Sequence, residues 1–543
     1  MPKRNKRSSF RGASAIIAGA TLTALLIAPV ASAANLSTTP FAVRATNIAE
    51  AKHFAIRPLF SGKADPTTPP TTTPPTTTPT AEPTTPVTTA PPEPVDPKPL
   101  NISMTLDTAP ANCAASDFSL ELTSGKNVAT SATIDWGDGS PVTPVASSGM
   151  YKHSYAAGKS YNLNLGGEFY GITRSSSANA NANNCIRSVD HFGTGTGLTS
   201  LQSMLSGATN LQSVAAPPKT VTSLQGLFDG ASNFNGDISK WDVSNVTNFS
   251  NLFRSATSFN GNLSNWNVSR GANFNGMFQS AFKFNGDISN WNTSAATTTN
   301  AMFKSAKVFT GDISRWNLSA NRNFTEMFFG ATLFNGDVSN WNTSNALYLG
   351  SMFRSASAFN GDISRWDVSK VTAFDNMFFS AKIFEGDISG WNVSSGLDFS
   401  GMFQSAPAFN RDLTNWNVSK STNFSSMFSG ATKFNGDVST WRTPLATDMS
   451  YMFYGSAFNR DLSGWNVSAV RDFSSMFNYN TAFNQPLAKW STGNAFYMNR
   501  MFEGASSFNQ NLSGWSVAKV SSGNRTNFSN GSPLTSANLP RFS

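Results

Sequence analysis

Twelve tryptophans recur at a nearly fixed interval through the second half of this chain: Trp241, Trp266, Trp291, Trp316, Trp341, Trp366, Trp391, Trp416, Trp441, Trp465, Trp490 and Trp515. The step is 25 residues everywhere except between Trp441 and Trp465, where it is 24 because "MFYGSAFN" is one residue shorter than "MFSGATKFN". Two phenylalanine rows keep the same step, from Phe234 to Phe508 and from Phe228 to Phe502. A unit of this size cannot bury three large aromatic rings by itself. Stacked units can, because each ring then packs on its counterparts above and below. The chain is therefore restricted to a stack of coils, with the twelve tryptophans as its structural core.

Each unit reads in two halves. In "DISKWDV" the apolar residues fall as I-x-x-W-x-V, and Trp241 and Val243, two apart, predict one face of a short strand. In "NFSNLFRSATSF", Phe249, Leu252, Phe253 and Ala256 fall at i, i+3, i+4 and i+7, the spacing of one face of a short helix. Asn235-Gly236 predicts a turn with positive φ. The expected fold is an α/β solenoid, one short strand and one short helix per coil. Residues 198–233 contain two degenerate units without tryptophan and read as an N-terminal cap. Residues 234–517 hold the twelve repeats, and 518–543 read as a C-terminal cap or tail.

The motif MFxxAxxFNGDISxWNVS resembles the 25- to 26-residue bacterial surface-protein repeat of the DUF285 type, grouped with BspA-like leucine-rich repeat proteins. The I-x-x-W-x-V run is close to the L-x-x-L-x-L core of leucine-rich repeats. The resemblance runs through every unit. It implies a leucine-rich-repeat-like fold and a secreted or surface-exposed protein that adheres to host or matrix proteins. Adhesion follows from the resemblance alone; the periodicity shows only a solenoid.

Upstream, residues 1–33 read as a secretory leader. "MPKRNKRSSFR" is cationic, "AIIAGATLTALLIAPVA" is apolar, and "ASA" at Ala31 to Ala33 fits cleavage, so a mature chain would begin near Ala34. Residues 34–64 form a short segment of unclear order. Residues 65–99 are a Pro/Thr-rich stalk, whose prolines favour an extended path. Residues 100–190 read as a small β domain: Tyr161, Leu163 and Leu165 alternate as in a half-buried strand. Trp136-Gly137-Asp138-Gly139, His153-Ser154-Tyr155 and Gly158-Lys159-Ser160-Tyr161 resemble the turn and strand signature of PKD-like, immunoglobulin-like sandwiches. "SSSANANANN" before Cys185 departs from that pattern. A disulfide between Cys113 and Cys185 is the leading reading for a secreted chain, with two unpaired thiols as the alternative.

Composition narrows the function. The formal charge is +8, but Lys3, Arg4, Lys6, Arg7 and Arg11 lie in the leader, and without them 34 basic residues face 31 acidic ones. That balance, with no basic block downstream, speaks against nucleic-acid binding. No apolar run of membrane-spanning length follows the leader, so no transmembrane segment is expected in the mature chain. No nucleophile–base pair or phosphate-cradling loop stands out, so neither an enzyme nor a cofactor is expected.

Three repeat rows are candidate sites. The aspartate row is Asp237, Asp287, Asp312, Asp337, Asp362, Asp387, Asp412, Asp437 and Asp461, interrupted by Asn262, Pro486 and Asn511. Calcium held between coils, above all at Asp287, Asp312, Asp337, Asp362 and Asp387, is one reading. Capping of each coil's own Asn-Gly turn is the other, favoured by the interruptions and the single carboxylate per coil. The residue after tryptophan is usually asparagine, as at Asn267, Asn292 and Asn317, which favours a hydrogen-bonded ladder between coils over a ligand stripe. The residue before tryptophan varies, and Lys240, Asn265, Arg315, Arg365 and Lys489 are the partner-facing candidates. The reading as a whole is a secreted or cell-wall-associated bacterial adhesin for host or bacterial surface proteins or glycans. A cell-wall or biofilm spacer without a ligand is the alternative, and a hydrolase within residues 100–190 a third.

Overall fold

The computed structural model describes residues 102–123, 132–167, 169–173, 182–193 and 197–542, all within one compact unit. The leader, the 34–64 segment and the Pro/Thr-rich stalk lie outside the described residues.

Strands are confined to the beginning of this unit: β1 Ile102–Asp107, β2 Phe118–Thr123, β3 Thr133–Asp135, β4 Thr143–Pro144, β5 Gly149–His153, β6 Ser160–Gly166, β7 Gly171–Thr173, β8 Ile186–His191 and β9 Ser213–Val214. They form a six-stranded sheet ordered β4-β3-β6-β1-β8-β9 and a three-stranded sheet ordered β5-β2-β7. Alternation sets the buried faces. Ile102, Met104 and Leu106 of β1 and Leu163 and Leu165 of β6 share one core with Phe118, Leu120 and Leu122 of β2. Trp136 stacks on His153 at 4.6 Å, and the Tyr155 hydroxyl donates to the Trp136 carbonyl at 3.0 Å. Cys113 and Cys185 are joined by a disulfide.

The β domain runs directly into the repeats. β9, part of the first coil, adds to the six-stranded sheet parallel to β8, and Gly171 of β7 bridges to Ser200 of the same coil. The disulfide sits at this joint. Next to it, the Asn184 side chain accepts from the Thr209 amide and hydroxyl, and the Asn112 amide group donates to the Thr209 hydroxyl. Asn183, buried, donates to the carbonyls of Met204 and Ser206. The end of the asparagine-rich insert is therefore a clasp, and the sheets cover apolar surface that the first coil would otherwise expose.

The coils correct the expected α/β solenoid. Among the described residues there is no α-helix, and each repeat contributes a single bridge position to a parallel ladder running from Ser200 through Asn248 and Tyr348 to Tyr497. The leucine-rich-repeat-like strand is also missing. Trp241 and Val243 are buried, but each anchors a turn, with the Trp241 amide donating to the Ile238 carbonyl and the Val246 amide to the Val243 carbonyl. Phe249, Leu252, Phe253 and Ala256 are buried as their spacing requires. Their backbone is a ribbon of overlapping turns. Amides of Phe249, Asn251, Phe253 and Ser255 donate to carbonyls of the next coil, at Asn273, Asn275, Met277 and Gln279. Amides of Leu252, Arg254 and Ala256 donate three residues back. Half of the amides an α-helix would need are thus committed to the next coil. Two left-handed residues per coil also break any helix, such as Asn251 at φ 55° and Ser255 at φ 56°.

The expected positive φ at Asn-Gly is likewise corrected: Gly236, Gly261 and their equivalents keep negative φ. Glycine stands there because a Cβ on Gly261 would come within 2.9 Å of the Phe259 ring.

Side chains hold the stack in register. Tryptophan rings of successive coils lie within 10° of parallel wherever they pair, as do Trp341 and Trp366 at 6.2 Å. Phe253 stacks on Phe259 of its own coil at 3.9 Å and on Phe278 of the next at 5.6 Å. Eleven indole N–H groups, from Trp266 to Trp515, donate to the carbonyl at the Ile238 position of the preceding coil at 2.9–3.1 Å. Burying each ring contributes about 1.5–3 kcal/mol, against about 1 kcal/mol for one hydrogen bond. Packing therefore carries the stack, and the indole bond joins the backbone bonds between coils in fixing its register.

The shortened coil is repaired by polar side chains. Ser456 and Asn480 replace core alanines, and the buried Asn480 donates to the Phe458 carbonyl while accepting from the Phe483 amide. At the far end, residues 524–530 accept the last ladder amides, and Phe528 meets Phe502 edge-on at 5.5 Å, which ends the parallel stack.

Candidate interaction surface

Each coil caps its own turns with short polar side chains, and this accounts for two of the three candidate rows. Asp237, Asp287, Asp312, Asp337, Asp362, Asp387, Asp437 and Asp461 each accept the amide of the serine two residues on, at 2.8–3.0 Å. The cap therefore lies on the following Asp-Ile-Ser turn rather than on Asn-Gly. Asp412 differs, accepting the Asp437 amide of the next coil at 2.8 Å. The Ser339 amide, with its hydroxyl, holds the Asp337 carboxyl below its ordinary range; repulsion from Asp312 and Asp362 opposes this and is smaller. Among the described residues no three His, Cys, Asp or Glu side chains gather as a metal site would need.

The row after tryptophan also forms turns within its own coil. Asn267 accepts the Ser269 amide, Asn292 that of Ser294 and Asn317 that of Ser319, each at 3.1 Å. The ladder between coils belongs instead to the asparagine after the second phenylalanine. Asn235 accepts the Asn260 amide and Asn260 the Asn285 amide, and the pattern resumes through Asn335, Asn410, Asn435 and Asn459. The signal was in the sequence, in the Asn of F-N-G, but it pointed to a turn.

The row before tryptophan is exposed in all twelve coils, including Lys240, Asn265, Arg315, Arg365 and Lys489. Lys240 and Asn265 flank a shallow hollow of about 330 Å³ beside Asp242 and Asn267. No described hydrogen bond or ion pair ties up Arg315, Arg365 or Lys489, so these cations face outward. Some cations elsewhere are internally engaged. Lys304 and Arg354 lie over Phe329 at 4.8 and 5.4 Å, Arg354 lies over Phe379 at 4.2 Å, and Lys304 pairs with Glu326 at 2.7 Å.

The β domain holds one further polar cluster. The Asp138 carboxylate meets His153 Nε2 at 2.7 Å and accepts the Ser140 amide at 3.0 Å. Hydrogen bonding to Ser140, then to His153, brings Asp138 down to about 2. Burial pushes the Tyr155 hydroxyl up. Asp135 accepts the Gly137 amide at 2.9 Å. Both aspartates thus close the Trp-Gly-Asp-Gly turn.

Sequence reasoning passed over Tyr451, Tyr454 and Tyr479, which cluster on two successive coils. The signal for Tyr451 and Tyr479 was an aromatic residue at positions where the other coils place none.

Comparison with known proteins agrees with the repeat. None of the curated proteins matches the chain. The profile of one family, described as "Mycoplasma protein of unknown function, DUF285", matches five times, at residues 199–313, 283–381, 304–406, 362–457 and 436–538. These matches overlap and run from residue 199 to residue 538, more than half of the chain, with their period set by the aromatic rows described above. The chain is a repeat protein and belongs to the DUF285 family.

Proposed function

We propose that this protein is a secreted or cell-surface interaction module of BspA-like role, whose coil stack displays the residues before tryptophan to protein or glycan partners. The observation that carries the reading is that row: twelve exposed positions of varied chemistry, each next to a buried Trp and most of them behind a capped turn. A fixed frame with a variable outer position is what a recognition surface needs. The leader-like N-terminus supports export, and the stacked Trp136, His153 and Tyr155 cluster supports the PKD-like reading of the β domain.

The test uses the full chain and a variant with Lys240, Arg315, Arg365 and Lys489 replaced by serine. Retention on immobilised extracellular-matrix proteins or bacterial surface extracts should fall tenfold or more in the variant. Equal retention would remove the row from recognition. A spacer without a ligand is the second reading. It is favoured by the Asp and Asn rows, whose polar atoms are consumed by the fold's own turns. It expects no retention of either protein. N-terminal sequencing of secreted material should find Ala34 first.

A further inference from the structure

Tyr451 and Tyr479 adopt left-handed backbone, at φ 57° and 53°. Other coils fill the Tyr451 position with glycine, as Gly226, Gly276 and Gly401, or with residues such as Asn251, Ala301, Glu326, Ser351 and Arg500, and the Tyr479 position with glycine or serine, as Gly330 and Ser355; none of them places an aromatic ring there. A bulky L-residue there is strained. Burial does not compensate, since the two side chains are 44% and 56% exposed. Every other coil is built without an aromatic ring at these positions, so large rings placed on left-handed backbone and left exposed point to a role outside folding.

Together with Tyr454 they wall an open groove of about 420 Å³ that reaches from Gln404 to Arg500 and crosses five coils. The Tyr454 ring stands 6.0 Å from Tyr451 and 6.1 Å from Tyr479, nearly perpendicular to the latter. Asn478 lines the groove, is 3% exposed, and its side-chain oxygen meets no protein donor. Its amide nitrogen makes only a long contact, 3.4 Å, to the Ser475 hydroxyl. A buried polar atom without a partner, facing a groove walled by aromatic rings, is an incomplete binding site.

We propose that this groove binds an uncharged oligosaccharide. The lining is neutral apart from Arg500, whose charge is matched by Glu503 at 3.5 Å, so nothing selects an acidic ligand. A sugar ring has apolar C–H faces edged by hydroxyls, which suits tyrosines that pair an apolar face with a polar tip. A hydroxyl both donates and accepts, so it satisfies Asn478 in either orientation of its amide. A proline-rich peptide is the other common occupant of aromatic grooves; its prolines carry no N–H, so it offers fewer donors than a sugar, and it is the competing ligand in the test. The groove uses rows of the coil other than the one before tryptophan, so the two proposals stand or fall separately.

The experiment is calorimetric titration of the full chain with cellohexaose, maltohexaose and N-acetylchitohexaose, alongside the Tyr451→Gly/Tyr479→Gly double variant. At least one hexasaccharide should bind. The double variant should bind it at least tenfold more weakly while melting at the same or a higher temperature, because glycine relieves the backbone. Replacing Lys240, Arg315, Arg365 and Lys489 with serine should leave hexasaccharide binding unchanged. Absence of binding by all three sugars, or undiminished binding by the double variant, would overturn the proposal. So would binding of a synthetic 67–91 peptide in place of the sugars. A lower melting temperature for the double variant would overturn it too, by showing that the tyrosines serve the coil.

Discussion

The β domain and the coil array are continuous, yet they hold their backbones in opposite ways. In the β domain, β1 is paired along its length on both sides, so main-chain ladders fix the register and side chains fill the space between sheets. In the array there is one bridge residue per coil, and the remaining main-chain bonds between coils leave from alternate amides of the turn ribbon, as at Phe249, Asn251, Phe253 and Ser255. Stacked rings and an indole N–H that reaches back one coil add a side-chain register to those backbone bonds. The difference teaches that a burial pattern and a backbone conformation are separate things. Phe249, Leu252, Phe253 and Ala256 satisfy a helical pattern and are buried, without a helix.

Breaking the side-chain register should hurt the array most. Trp366→Ala removes one ring from the row and the bond to the Val338 carbonyl. It should cost about 3–5 kcal/mol and split denaturant unfolding into two transitions, as the stack on either side separates. Trp366→Phe, which keeps a ring but strands that carbonyl, should cost less, about 1–3 kcal/mol. The β domain should barely respond to either change.

The converse is Cys113→Ser. Loss of the disulfide, with its sequence separation of 72, should destabilise the β domain and its joint to the first coil by about 3–4 kcal/mol. The midpoint of the distal coils should not move. If it falls with the β domain, the two regions unfold as one unit and the contrast drawn here is too sharp.

A smaller effect tests the left-handed positions. Ala301, at φ 52°, should become more stable by up to about 1 kcal/mol as Ala301→Gly. Gly401→Ala, at φ 60° and with its Cβ 2.5 Å from Asn376 Oδ1, should lose about 1–2 kcal/mol. Thermal melts of the two variants should move in opposite directions.

Acid should give the smallest difference. Asp138 titrates near 2 in the folded protein against an ordinary 3.8, so its contribution is complete above about pH 4 and is lost as pH falls towards 2. Asp138→Asn should flatten that limb for the β domain. In the array the same effect is spread over many capping aspartates, and Asp375 and Asp472 oppose it. Burial raises those two, so their cost disappears as pH falls. No single substitution there should flatten the acid limb.

Much of this was legible in the sequence. A fixed period of large rings permits only a stack, and burial of Trp241 through Trp515 follows from it. Two cysteines leave one possible pair. The conformation within a coil was hidden, because i, i+3, i+4 spacing reports which side chains go inward and not where the amides go. Serine and asparagine at the positions of Asn251 and Ser255 were the available signal for left-handed backbone, but both residues are common everywhere in this chain. The clasp at Asn183 and Asn184 lay within a run that registered only as a departure from the sandwich signature. Tyr451 and Tyr479 stand out only once the left-handed rows are known.

The central claim is that each tryptophan is bound to the coil before it. Hydrogen exchange of the indole N–H groups, resolved by NMR, addresses this directly. Eleven of them, Trp266 to Trp515, should exchange only as the array unfolds. Exchange of those indoles at the rate of free indole in water, while the protein remains folded, would contradict the account.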